Sequence, residues 1–207
     1  MPIHLSGSTR VLFQGDSITA AHRALNDADL GKGYVRHIAD ALAVTHPGVS
    51  VANRGVSGDR VADLSDRWAT DTLATRPEVL SVLIGVNDTW RRYDRGETTS
   101  AEDYERNYRG ILRRSTEQGS RLVLIEPFLL PVRAEQWSWR EDLDRRIHVV
   151  RRLADEFDAA LLAADGLLHQ AACARGGAHV LTDDGVHLTP TGHEVLADAW
   201  LRLVEEA

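Results

Sequence analysis

The chain has 207 residues, with 24 Lys and Arg against 31 Asp and Glu, a formal net charge of −7 and 43% hydrophobic residues. That length and balance predict one α/β domain over residues 1–207 with a sizeable core, and the acidic sign excludes nucleic acid as a bulk partner, because phosphate binding needs a concentrated basic surface. No apolar run reaches the ~20 residues of a membrane span, the first ten residues lack the apolar stretch of a secretory signal, and the lone Cys173 cannot close an internal disulfide. A cytoplasmic protein without a membrane partner is the expectation.

Short apolar runs alternate with amphipathic stretches along the chain. Residues 11–13 predict a first buried strand, followed by Gly15-Asp16-Ser17, and residues 49–52 a second, followed by Gly55-Val56-Ser57-Gly58-Asp59. Residues 79–84 predict a third, which leads into Gly85-Val86-Asn87-Asp88. A helical stripe of Tyr104, Tyr108, Ile111 and Leu112 comes before a strand at 122–125. The connection 126–140 is long and apolar; it would wall a cleft or bury itself in a homo-oligomer, and Trp137 and Trp139 would share a face if it ran extended. A second stripe of Leu143, Ile147, Val150 and Phe157 precedes a strand at 160–162. The last helix should start at Pro190 under a Thr189 cap and turn Leu196, Ala199, Trp200 and Leu203 inward. This alternation predicts a three-layer α/β/α sandwich around a mainly five-stranded parallel sheet. Ligands bind such sheets beyond the carboxyl ends of the strands, which would gather Ser17, Gly58 and Asn87 at one edge.

Chemistry enters with Thr182-Asp183-Asp184-Gly185-Val186-His187. A hydroxyl nucleophile needs a base to take its proton and a carboxylate to hold that base and stabilise its charge. His187 and Asp184 can be that pair, with Ser17 as the nucleophile brought to them only by the fold. The Ser17 and Gly58 amides and the Asn87 side chain can donate to the oxyanion formed on attack at a carbonyl. Asp88 is free to cap the helix after the third strand, which leaves Asn87 available. Asp16 is read as bonding local backbone donors, with substrate contact as its second reading. Ser57 falls one residue short of a Gly-x-Ser-x-Gly elbow and reads as a turn that exposes Gly58. Among the histidines, His4, His46 and His179 read as loop residues and His37 and His148 as helix positions. His193 packs behind the site in this reading, and His22 faces the cleft. A metal site joining Asp184, His187 and His193 lacks any His-Glu-x-x-His or Cys/His cluster, so no cofactor is expected.

Gly-Asp-Ser, Gly-x-Ser-Gly, Gly-x-Asn-Asp and Asp-x-x-His, in that order, resemble the four blocks of the SGNH (GDSL-type) hydrolases. Gly31-Lys32-Gly33-Tyr34-Val35, Asn53-Arg54-Gly55 and Thr89-Trp90-Arg91-Arg92-Tyr93-Asp94 bring the wording close to the intracellular acetylxylan esterases. The resemblance covers about residues 11–200. It implies a flavodoxin-like sheet, a Ser17-His187-Asp184 triad and acetyl esters of xylan-derived sugars as substrate. Trp90 and Tyr93 would then offer a flat face to a pyranose ring and Arg91 and Arg92 would bond its hydroxyls; core packing or a subunit contact is the competing reading of Trp90. Two positions depart from the pattern: Ala20, where many relatives carry an acid, and Asp183, where the xylan esterases carry a tryptophan. The alternatives are a lysophospholipase or thioesterase of the same chemistry, an acyl transferase, and a non-catalytic carbohydrate-binding relative. The expected partner is a small acyl ester or acetylated oligosaccharide.

Overall fold

A computed structural model describes residues 3–24, 26 and 29–204. Each predicted apolar run becomes a strand: β1 (Arg10–Gly15), β2 (Ser50–Asn53), β3 (Val79–Leu83), β4 (Arg121–Ile125) and β5 (Ala160–Leu162). They form one parallel sheet in the order β2-β1-β3-β4-β5. Around it run α1 (Ser17–Ala20), α2 (Tyr34–Thr45), α3 (Val61–Asp66), α4 (Trp68–Asp71), α5 (Val86–Asp94), α6 (Ala101–Thr116), α7 (Arg140–Glu156), α8 (Ala164–Ala174) and α9 (Pro190–Leu201).

The period of two along the strands divides the core into two layers. Val11, Phe13, Val79, Leu83, Val123 and Ile125 face a cluster closed by α2, α8 and α9, where Ile38, Leu168 and Leu196 are fully buried. Leu12, Leu80, Val82, Leu122 and Leu124 face the opposite cluster, closed by α3, α6 and part of α7 through Leu64, Tyr104, Tyr108, Ile111 and Val150. A sheet buried on both sides needs continuous apolar strands, and β3 is buried at all five positions. Its one hydroxyl, Ser81 Oγ, accepts the Trp200 indole N–H at 3.1 Å, so neither polar group is left unpaired. This is the three-layer α/β/α arrangement expected from the alternation.

Helix α9 starts at Pro190, and Thr189 Oγ1 accepts the Gly192 N–H at 3.2 Å as its cap. The connection after β4 departs from expectation. Residues Ala134–Trp139 wind into a 3-10 helix, closed by Gln136 Oε1, which accepts the Val132 and Arg133 N–H groups. A helical rise sends residues two apart to opposite sides, so Trp137 is 61% exposed while Trp139 is 7% exposed. The two tryptophans do not share a face. Among the described residues no helix is long and apolar enough to cross a membrane.

Candidate active site

Ser17 opens α1, a single turn that begins as β1 ends. Close approach requires a glycine two residues earlier: a Cβ on Gly15 would stand 2.2 Å from the Leu83 carbonyl oxygen at the end of β3. Asp16 caps the turn, its Oδ1 accepting the Ile18 N–H at 3.0 Å. Its carboxyl is wholly buried, and burial pushes its pKa up to about 7 although the Ile18 N–H favours the anion. Asp16 therefore serves the backbone and does not reach the cleft. The geometry favours the backbone-bonding reading of Asp16.

The segment 182–188 is braced largely by its own residues. Thr182 bridges to Leu188, and its hydroxyl accepts the Gly185 N–H and donates to the His187 carbonyl. Asp184 Oδ1 accepts the N–H groups of Val186 at 2.9 Å and His187 at 2.8 Å. Its Oδ2 lies 2.7 Å from His187 Nδ1, and His187 Nε2 lies 2.9 Å from Ser17 Oγ. Hydroxyl, imidazole and carboxylate thus stand in one chain, although serine and histidine are 170 positions apart. Burial alone would raise the Asp184 carboxyl, but the His187 imidazole and the two backbone donors outweigh it and hold it at about 2. The bond to Asp184 lifts His187 above its ordinary 6.5 against partial burial, with Asp16 and Asp183 adding to the rise. Such an arrangement can move a proton from the hydroxyl to the imidazole and stabilise the cation that results.

A residue without a sequence signal secures this turn. Gln136 is fully buried, and its Nε2 donates to the Asp184 carbonyl at 2.6 Å. Gly185, at φ +96°, must stay a glycine, because a Cβ there would stand 2.6 Å from that nitrogen. The Leu130 N–H bonds the Gly185 carbonyl at 2.8 Å, so the connection after β4 grips the loop at both residues.

Because β1 lies between β2 and β3, Ser17, Gly58 and Asn87 follow three adjacent strands at their carboxyl ends. The chain leaves β1 for β2 and returns past it to β3, which is a topological switch point. Gly58 adopts a left-handed conformation at φ +88°. Asn87 sits in the first turn of α5 and donates Nδ2 to the Asp59 carbonyl at 3.0 Å; an amide nitrogen carries two hydrogens, so one more remains to donate. Asp88 does not cap its own helix, whose N-cap is Gly85. Its Oδ2 accepts the Val61 N–H at the start of α3 instead, at 3.1 Å. Fold neighbours, invisible to local spacing, decide that partner.

A cleft of about 470 Å³ opens beside Ser17, with His22, Ser57, Asp183, His187 and His193 on its walls. Burial drives His193 down to about 4, and its Nδ1 accepts the Tyr34 N–H at 3.2 Å, so it is a neutral packing group. Trp90 is half-buried, its ring 5.8 Å from the His187 ring and 5.8 Å from Trp139. Tyr93 stacks on Trp139 at 5.3 Å and donates to the Ser138 carbonyl. Arg91 pairs with Asp94 and Arg92 with Asp142. The aromatic group therefore backs the imidazole. Among the described residues no group of three or more His, Cys, Asp or Glu side chains is placed to hold a metal ion.

The parallel sheet with a serine, a histidine and an aspartate at its switch point defines an α/β serine hydrolase. Residues 13–195 match the GDSL-like lipase/acylhydrolase family, and the chain belongs to it. It is a carboxylic ester hydrolase of the serine esterase type. It is 31% identical to the acetylxylan esterase of Geobacillus stearothermophilus over 96% of this chain and 94% of that protein. The solved structure of that enzyme superposes with a TM-score of 0.88 at 29% identity, covering 98% of this chain and 100% of the other. A protein from Parabacteroides merdae described as a GDSL-like lipase superposes at 0.92 with 33% identity over 98% of both chains. An α/β hydrolase from the metagenome of Lake Arreo, Spain, reaches 0.88 at 26% identity over 96% of both.

Proposed function

We propose that this esterase removes acetyl groups from xylan-derived or related oligosaccharides through a Ser17-His187-Asp184 triad. The observation that carries the reading is the continuous chain of 2.9 Å and 2.7 Å contacts from Ser17 Oγ through the His187 ring to Asp184. Ser17 attacks the ester carbonyl while His187 Nε2 takes its proton; Asp184 holds the tautomer and stabilises the imidazolium. The Ser17 and Gly58 N–H groups and Asn87 Nδ2 receive the oxyanion. His187 then protonates the leaving sugar hydroxyl. Water, activated by the same imidazole, attacks the acyl-serine and releases acetate, which returns the serine and leaves no proton unaccounted for. These groups suffice for both half-reactions, within the one domain of 1–207.

The cleft supports a polar alcohol and a short acyl group, since its walls carry three histidines, a serine and two carboxylates beside Ser17. Similarity to an acetylxylan esterase points the same way. Trp90 and Tyr93 bear on this reading as a backing for the base: the Trp90 ring lies 5.8 Å from the imidazole and Tyr93 reaches it through Trp139. The test is activity on p-nitrophenyl esters from acetate to palmitate, with acetylated xylose and xylobiose alongside. Turnover should peak at acetate, and acetate should be released from both sugars. A maximum at long chains with inert sugars overturns the substrate and keeps the ester chemistry.

The sign of the pH dependence follows from the imidazole. His187 must be neutral to act as base, so activity is present above its free-enzyme pKa and is lost as pH falls through it. Asp184 raises that pKa above the ordinary 6.5, and Asp184 itself stays ionised down to about 2. The acidic limb of kcat/KM should therefore bend above pH 6.5. A limb at or below that value contradicts the coupling.

A further inference from the structure

We propose that Arg67, which does not line the cleft, is the positioning residue of the oxyanion hole; this rests on the assignment of Gly58 and Asn87 as its donors. Arg67 lies between α3 and α4 and belongs to neither. Its guanidinium gathers acceptors from two segments that the sheet brings side by side. From the end of β1 it takes Gln14 Oε1 at 3.0 Å and the Gly15 carbonyl at 3.3 Å, directly before Asp16 and Ser17. From the segment after β2 it takes the Arg54 carbonyl at 2.9 Å and Asp59 Oδ2 at 2.7 Å. A further bond, to Asp71 Oδ2 at 2.9 Å, ties it to α4.

Asp59 links this fork to the hole. It follows Gly58 directly, its side chain is held by Arg67, and its carbonyl accepts the Asn87 amide at 3.0 Å. One residue therefore sets both non-nucleophile donors, and Arg67 fixes that residue relative to the strand that delivers the nucleophile. Asp59 is 9% exposed, so loss of the guanidinium would leave a nearly buried carboxylate without its cation. The turn would shift to re-solvate it and carry the Gly58 N–H and the Asn87 anchor along. Donors stabilise an oxyanion only at hydrogen-bond distance from the place where charge develops, and a displacement of about 1 Å can cost about 10²-fold in rate. Lysine cannot replace the fork, because it offers a point charge where two segments need a planar set of donors.

The test measures kcat and KM on p-nitrophenyl acetate, with Tm, for Arg67→Met, Arg67→Lys, Asp59→Asn, Asn87→Ala and the double variant Arg67→Met/Asn87→Ala. Arg67→Met should lose kcat on the order of 10²-fold with KM changed less than about threefold. Arg67→Lys should recover only part of it, and Asp59→Asn should reproduce a similar kcat loss. The double variant should lose clearly less than the product of the two single losses, because Arg67→Met displaces the Asn87 donor that Asn87→Ala already removes and adds only the displacement of Gly58. A lowered Tm with kcat retained in Arg67→Met overturns the proposal, as does a double variant whose losses multiply. If Arg67→Met does not fold, Arg67→Lys and Asp59→Asn decide, and full kcat in both overturns it. Full kcat in Asn87→Ala instead removes the oxyanion assignment itself, a failure told apart from that of Arg67.

Discussion

Ser17→Ala should lower turnover on p-nitrophenyl acetate by about 10⁶-fold, equivalent to about 8 kcal/mol of transition-state stabilisation. Among the described residues the hydroxyl makes one side-chain hydrogen bond, with His187 Nε2, and the helical turn it opens is capped by Asp16, so the fold does not depend on it. Tm should stay close to that of the parent protein. Residual activity would come from the oxyanion donors and binding alone, typically 10³–10⁴ over water in a serine triad. The measurement pairs burst-phase kinetics with a thermal scan. A variant that keeps parental turnover would remove Ser17 from the chemistry, whatever the substrate.

Asp184→Asn should cost about 10⁴-fold in turnover, and the geometry supplies the reason. Oδ1 of Asp184 already accepts the Val186 and His187 N–H groups, and an asparagine oxygen would keep that place. The amide nitrogen would then face His187 Nδ1 as a donor, where the carboxylate oxygen now sits at 2.7 Å. That arrangement forces the imidazole proton onto Nε2, which can no longer accept from Ser17. Loss of the anion also removes the main cause of the raised His187 pKa. The residual activity should accordingly show its acidic limb at lower pH than the parent enzyme. A limb that stays in place, or a loss below about tenfold, would show that Asp184 does not set the imidazole.

Much of this was legible before any coordinates. Apolar runs of three to six residues alternating with amphipathic stretches announced the parallel sheet, and Thr189-Pro190 announced the last helix. The site residues stood out because serine, Asn-Asp and Asp-x-x-His each carry chemistry in a short motif. Two readings failed where partners came from elsewhere in the fold. Asp88 caps α3, not α5, and Trp137 and Trp139 diverge because Gln136 folds their segment into a 3-10 helix. Gln136 and Arg67 gave no signal at all, since a glutamine in a connection and an arginine between helices resemble any surface residue until their acceptors are known.

The division between the two kinds of information follows the length of chain that each interaction spans. The Asp184–His187 pair, the turns that brace it and the apolar faces of the strands and helices arise within a few residues, where spacing along the chain is already spacing in space. The approach of Ser17 to His187 spans 170 positions, and the joining of Gly15 to Asp59 through Arg67 exists only because β1 is inserted between β2 and β3. Closing such distances depends on the burial of the whole core, a collective effect that no local pattern encodes.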